Sequence, residues 1–203
     1  FIKESFAMVS QSLLKQTSPS VTQQMICAAF EQLIQTKKQQ SQNITKFHSS
    51  SISPVSATRY ITRIAKYGFC LTDHLTLAAL YVDRVAKVNP DLQLNHYTAH
   101  RLIITSIVIA TKYDSDVYFS NAAYAKIGGL PVAELNALEL DFLSTLQYNL
   151  YVSPVEFKTF EDSLITQFQK KTSAYYHPYA QYTHPLTNKF SPSVRSTSKV
   201  CFT

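Results

Sequence analysis

The chain has 203 residues, 45% of them apolar, and only three glycines, which suits one domain with a real core plus extensions, or two very small domains, and argues against a turn-rich β sandwich. No apolar run approaches the about 18 residues that a membrane-crossing helix needs. The formal charge of +6 is carried by single or paired cations such as Lys37-Lys38 and Lys170-Lys171, without the dense basic stripe expected of a nucleic-acid binder.

Helical spacing opens the chain twice. Ile2, Phe6, Val9 and Leu13 form one stripe; Val21, Met25, Ala28, Ala29 and Leu33 form a second, with Ser20 placed to cap it after the break at Pro19. Residues 39–53 are polar, rich in Gln and Ser, and aperiodic, as in a linker or an extended wrap. Ser56 then caps a helix carrying Tyr60, Ile61, Ile64 and Ala65 that stops at Gly68. Thr72 caps the next, which carries Leu75, Leu77, Ala78, Leu80, Tyr81 and Val85 and ends before Asn89-Pro90. Asn95 caps a third helix running to about Tyr113. Its stretch 102–110 could alone be a buried strand, but the length and the flanking helical frame favour a helix apolar all round, and so central. Ser120 caps a short fourth helix that ends at Gly128-Gly129, one glycine suiting the left-handed position after a helix. Pro131 opens a fifth, with Leu135, Leu138, Phe142, Leu143 and Leu146. Ser153-Pro154 starts a further helix with Val155, Phe157, Phe160 and Leu164; from Lys170 onward no helical pattern is visible.

The wording of these helices resembles the cyclin box, and in particular the phosphate-response, or P/U-type, cyclins. The resemblance is carried by Tyr60-Ile61-Thr62-Arg63, by Tyr81-Val82-Asp83-Arg84, and by Leu94-Asn95 with Thr98-Ala99-His100-Arg101. Ala110-Thr111-Lys112, the stretch 121–129 and the stretch 134–143 extend it, so that it covers roughly 52–165. It implies an all-α fold: a single five-helix cyclin box with flanking N- and C-terminal helices. The chain then divides into an N-terminal helical extension and linker (1–45), the box with its following helix (46–168) and an irregular tail (169–203). The Met-Arg-Ala-Ile-Leu signature of mitotic cyclins is absent and there is no Trp, which leaves the mitotic groove for Arg-x-Leu motifs in doubt. No second set of periodic segments follows, so a single-box cyclin is expected.

Taken alone, Lys112 reads as a cation at a helix C-terminus, favoured by the helix dipole by about 0.3–1 kcal/mol, and Glu139 as part of a solvated face. The resemblance implies more: the matching cyclin lysine donates to kinase backbone carbonyls, and the matching glutamate accepts kinase backbone N–H groups and steadies the lysine. It also places Ile109, Tyr113, Leu143, Tyr148 and Leu150 as an apolar socket for the kinase's C helix, although ordinary core packing remains the alternative, above all for Leu143. Asp83, in an apolar helix, is expected to form a structural ion pair with Arg63 or Arg59. His96 and His100 share the i, i+4 spacing of metal ligands, but no third ligand is near in sequence. Gly128-Gly129 is no phosphate loop, since no Gly-Lys-Ser/Thr follows. Cys27, Cys70 and Cys201 lack metal or redox spacing, which suits a reduced intracellular protein, nuclear or cytoplasmic, with the sequon Asn43-Ile44-Thr45 idle. The chain opens on Phe1, as expected of a fragment, so an upstream targeting segment stays open. The expectation is a regulatory subunit of a cyclin-dependent kinase, activating it and recruiting its protein substrates. It is not an enzyme, and it uses no cofactor and no metal. The kinase expected is of the PSTAIRE type. A cyclin-fold nucleic-acid or transcription-factor module is the alternative.

Overall fold

The computed structural model describes residues 20–36 and 43–176, with side chains to residue 167. The stripe from Ile2 to Leu13, Cys201 and the tail beyond 176 lie outside the described residues. Seven α-helices occur among the described residues: α1 (Val21–Thr36), α2 (Ala57–Tyr67), α3 (Thr72–Val88), α4 (Ala99–Asp114), α5 (Asn121–Gly128), α6 (Val132–Thr145) and α7 (Pro154–Tyr176), with a 3-10 turn at Pro90–Leu92 between α3 and α4. No strand is present among the described residues, so the all-α expectation holds.

Helix α4 is the axis of the fold. Every residue from 102 to 111 is buried, and α2, α3, α5 and α6 all pack against it. A strand there would strand its backbone groups in an apolar interior, whereas a helix satisfies them internally. Two of its polar members follow the same rule: the Ser106 hydroxyl donates to the Ile103 carbonyl at 3.0 Å and Thr111 to Ile107 at 2.8 Å.

The close approach of α5 to α4 depends on Gly128. A Cβ there would stand 2.0 Å from Ile104 Cδ1, while the Gly128 carbonyl accepts the Tyr60 hydroxyl at 3.1 Å and an Arg63 N–H at 3.3 Å. Gly129 then turns the chain at φ 74, the left-handed conformation that glycine adopts without a Cβ penalty.

Ser20, Ser56 and Ser120 cap their helices as expected, each accepting a backbone N–H three residues on. Two caps differ. Thr72 is the first helical residue and Leu71 the cap position, with His74 Nδ1 accepting the Leu71 N–H at 3.1 Å. Asn95 stands ahead of α4; its side chain accepts the N–H of Tyr97 and of Thr98, an Asx turn that leads into a helix starting at Ala99.

Helix α1 shares the core of the box, but on a face rotated from the expected one. Ile26, Cys27, Phe30 and Ile34 are buried, whereas Val21 and Leu33 are exposed. The register that buries two isoleucines and a phenylalanine removes more apolar surface than one built on Val21, Met25 and alanines. The polar wrap is pinned by a residue its composition concealed: Phe47 is 1% exposed and meets Phe142 edge-on at 6.2 Å. Ser49 N–H donates to the Tyr97 carbonyl at 3.0 Å.

The expected pairing of Asp83 with Arg63 does not form. Asp83 bridges at 2.6 Å to Lys87, one turn along the same helix, a neighbour that costs little chain entropy to reach. Arg63 instead lies over the Tyr60 ring and donates to the Gly128 carbonyl. Helix α7 runs to Tyr176, past Lys170, from which no helical pattern is visible in the sequence. On α7, Val155 is exposed and Leu164 is buried against the core.

Candidate protein-docking site

Two helices meet in an ion pair. Lys112, in the last turn of α4, directs Nζ at the Glu139 carboxylate of α6, 2.7 Å from Oε1 and 2.9 Å from Oε2. The lysine side chain is 27% exposed and the glutamate 15%, so the pair sits at the rim of the fold, neither solvated nor sealed. An ion pair in this position is stronger than a fully exposed one, and both groups remain within reach of a partner.

Asn121, the first residue of α5, joins them: its Nδ2 donates to Glu139 Oε2 at 2.6 Å and to Asn136 Oδ1 at 2.7 Å. Asn136, Glu139 and Leu143 follow at i, i+3 and i+7, and so lie along one face of α6. Leu143 is half-buried against the core. Its carbonyl accepts the Tyr148 N–H at 2.8 Å where the helix ends. Gln147 and Tyr148 both adopt left-handed backbone, at φ 52 and φ 59, a conformation uncommon for residues bearing a Cβ and stored where surrounding contacts hold it.

Those contacts come from α3. The Tyr81 hydroxyl donates to the Leu150 carbonyl at 2.8 Å, and Arg84 donates to the carbonyls of Asn149 and Tyr151 and to the Glu156 carboxylate at 2.8 Å. Burial, followed by the nearby Tyr113 phenol, pushes the Tyr81 phenol up from its ordinary pKa. Tyr113, the residue after Lys112, is 49% exposed, and Tyr148, just past the end of α6, is 65% exposed.

Of the socket residues, Leu143 and Leu150 are half-buried. Ile109 is fully buried in α4, so it can support the site only from beneath. Sequence reasoning passed over Asn121, Asn136, Tyr81 and Arg84. The signal for Arg84 lay in the quoted Tyr81-Val82-Asp83-Arg84, where Asp83 drew the attention although Arg84 makes the long-range contacts. Asn121 opens the quoted 121–129 stretch, but nothing in a single sequence distinguishes it from a helix-start residue.

Burial pushes the Cys70 thiol up to about 11 and the Cys27 thiol likewise to about 11. His100 Nε2 is 2.8 Å from the Val55 carbonyl, and the ring lies edge-on to Tyr60, while His96 is exposed. Among the described residues no group of three or more His, Cys, Asp or Glu could hold a metal, and no helix is long and apolar enough to cross a membrane.

Residues 4–150 match the family model for Cyclin. The chain is 40% identical over 121 residues to Cyclin-U4-1 of Arabidopsis thaliana, covering 60% of each. It is 38% identical to Cyclin-P3-1 of Oryza sativa, over 63% of this chain and 52% of that one. It is 32% identical to the PHO85 cyclin-like protein psl1 of Schizosaccharomyces pombe, over 64% of this chain and 54% of that one. The chain thus spans 52% to 60% of the length of these three relatives. With a buried central helix ringed by four others and a family match over most of its length, the chain belongs to the cyclin family.

Proposed function

We propose that this chain is the regulatory subunit of a cyclin-dependent kinase of the PSTAIRE type, acting by docking rather than by chemistry of its own. The observation that carries the reading is the Lys112–Glu139 pair, half-buried on a cyclin fold, with exposed Tyr113 next to Lys112 in the chain and exposed Tyr148 just past the end of the helix that carries Glu139. Lys112 offers donors and Glu139 acceptors to backbone groups of the kinase, and the tyrosines supply rigid aromatic contact area of the kind that dominates binding energy. The relative in Schizosaccharomyces pombe, named as PHO85 cyclin-like, supports a kinase partner.

The mechanism is a population shift. A kinase whose C helix is displaced lacks the ion pair between its active-site lysine and the glutamate of that helix. A partner that binds the assembled state more tightly raises its share, by as much as the difference in affinity allows. Recruitment of the kinase's protein substrates belongs to the same role.

Affinity capture from native extract, with the wild-type chain and the Lys112→Glu variant side by side, tests the reading. A PSTAIRE-type kinase should copurify with the wild type and be depleted with the variant. Recovery of no kinase, or of nucleic acid in its place, would overturn it.

A further inference from the structure

We propose that Asn121 is a positioning residue of the docking site: its amide holds the Glu139 carboxylate in its binding orientation before a partner arrives. The inference rests on the kinase-docking reading of the Lys112–Glu139 pair.

Glu139 Oε2 receives two donors from two helices, Lys112 Nζ of α4 at 2.9 Å and Asn121 Nδ2 of α5 at 2.6 Å. The terminal torsion of a glutamate is otherwise broad, and one lysine on a flexible stem would not fix it. Two donors arriving on separate helices do. Among the described residues Oε1 receives Lys112 alone, at 2.7 Å, and so keeps acceptor capacity for an incoming N–H group. A carboxylate already set in place loses less entropy on binding.

The orientation of the Asn121 amide is forced, since turning it over would set its carbonyl oxygen against a carboxylate oxygen. In that forced orientation Asn121 Oδ1 is buried with no hydrogen-bond partner among the described residues. A buried acceptor left without a donor is destabilising. Local helix chemistry does not account for keeping it, because Ser120 already caps α5 by accepting the Ala123 N–H. Its contacts with Glu139 and with Asn136, which braces the amide from α6, are what Asn121 contributes.

The test combines kinase titration, thermal melting and 13C relaxation of the Glu139 side chain by NMR. Asn121→Ala should weaken kinase binding about tenfold, the size of one charge-assisted hydrogen bond, while melting within a few degrees of wild type. Its Glu139 side chain should show greater terminal mobility than in the wild type, with or without kinase. In a Glu139→Gln background the same substitution should have no further effect on kinase binding. Should Asn121→Ala melt early, Asn121→Asp decides: it keeps the shape and suits a helix start, yet sets a negative charge against Glu139, and should bind more weakly than wild type. Wild-type affinity in Asn121→Ala or Asn121→Asp, or a loss that adds in full to that of Glu139→Gln, overturns the inference. If wild type fails to bind kinase, or Lys112→Glu binds as well as wild type, the docking reading falls instead, and Glu139 side-chain relaxation unchanged in Asn121→Ala then overturns the positioning role separately.

Discussion

Exchanging the charges of Lys112 and Glu139 separates what the pair does for folding from what it does for binding. Each single variant, Lys112→Glu or Glu139→Lys, sets two like charges where the structure has a 2.7 Å contact. Exposed pairs contribute about 0.2–1 kcal/mol, and breaking a fully buried pair costs about 3–5 kcal/mol. Side-chain exposures of 27% and 15% place this pair between them, near 2 kcal/mol by order of magnitude. For a domain of this size that is a fall in melting temperature of about 4–8 °C. The double variant K112E/E139K restores an attractive pair with the same two helices, so most of that loss should return. Binding should not follow. A partner whose backbone carbonyls met an ammonium and whose N–H groups met a carboxylate now faces each group reversed. The expected penalty is about 2–5 kcal/mol, roughly 30-fold to a few thousand-fold in affinity. Melting curves and a titration of kinase activity against chain concentration give both numbers. A double variant that recovers stability and kinase affinity together would refute the reasoning, since the pair would then be purely structural.

Tyr113→Ala and Tyr148→Ala should each cost more than about 1 kcal/mol of kinase binding, as truncated hot-spot aromatics do, with little change in melting because both rings are exposed; unchanged activation in both would rule out this border of the site. Gly128→Ala should destabilise the fold by about 1–3 kcal/mol through overpacking, and Ile104→Val should recover much of it, because the clashing atom is Ile104 Cδ1 at 2.0 Å; failure of that rescue would locate the fault elsewhere. Burial holds His74 below its ordinary 6.5, although Asp114 opposes the shift, and burial holds His100 below it too. A folded-state pKa below the unfolded one means that the unfolded chain takes up protons first, so stability is full above about pH 6.5 and is lost as pH falls below it. Melting temperature should therefore drop between about pH 7 and pH 5.5, less steeply in His74→Asn, whose side-chain oxygen can still accept the Leu71 N–H; a melting temperature that is flat or rises on acidification would contradict the burial argument.

Much of the fold was legible because its signals are local. Serine caps at 56 and 120, the turn glycine at 129, and an apolar run too long for a strand each act within a few residues of themselves. Features decided by distant contacts were not legible. The buried face of α1 is chosen by what α2, α3 and α7 offer it, and the stripe read from spacing alone differs by one residue of rotation. Phe47 stands in a polar stretch and declares itself only when Phe142 closes on it. The same division runs through the site. Lys112 and Glu139 could be named from the wording of their helices, but the 2.7 Å contact between them spans 27 residues of sequence. Asp83 has a nearer partner in Lys87 than the one expected for it. Asn121, together with the pegs Tyr81 and Arg84, acts across still other elements.

The proposed role of this fold is to activate a kinase through the Lys112 and Glu139 rim. Its most direct test is reconstitution: a purified PSTAIRE-type kinase, inactive alone, titrated with the wild-type chain and with Lys112→Glu while phosphate transfer to a protein substrate is followed. The account predicts a saturable rise in rate with the wild type, and with the variant a curve displaced to at least about 30-fold higher concentration. No rise with folded wild-type chain, or superimposable curves for the two proteins, would contradict it.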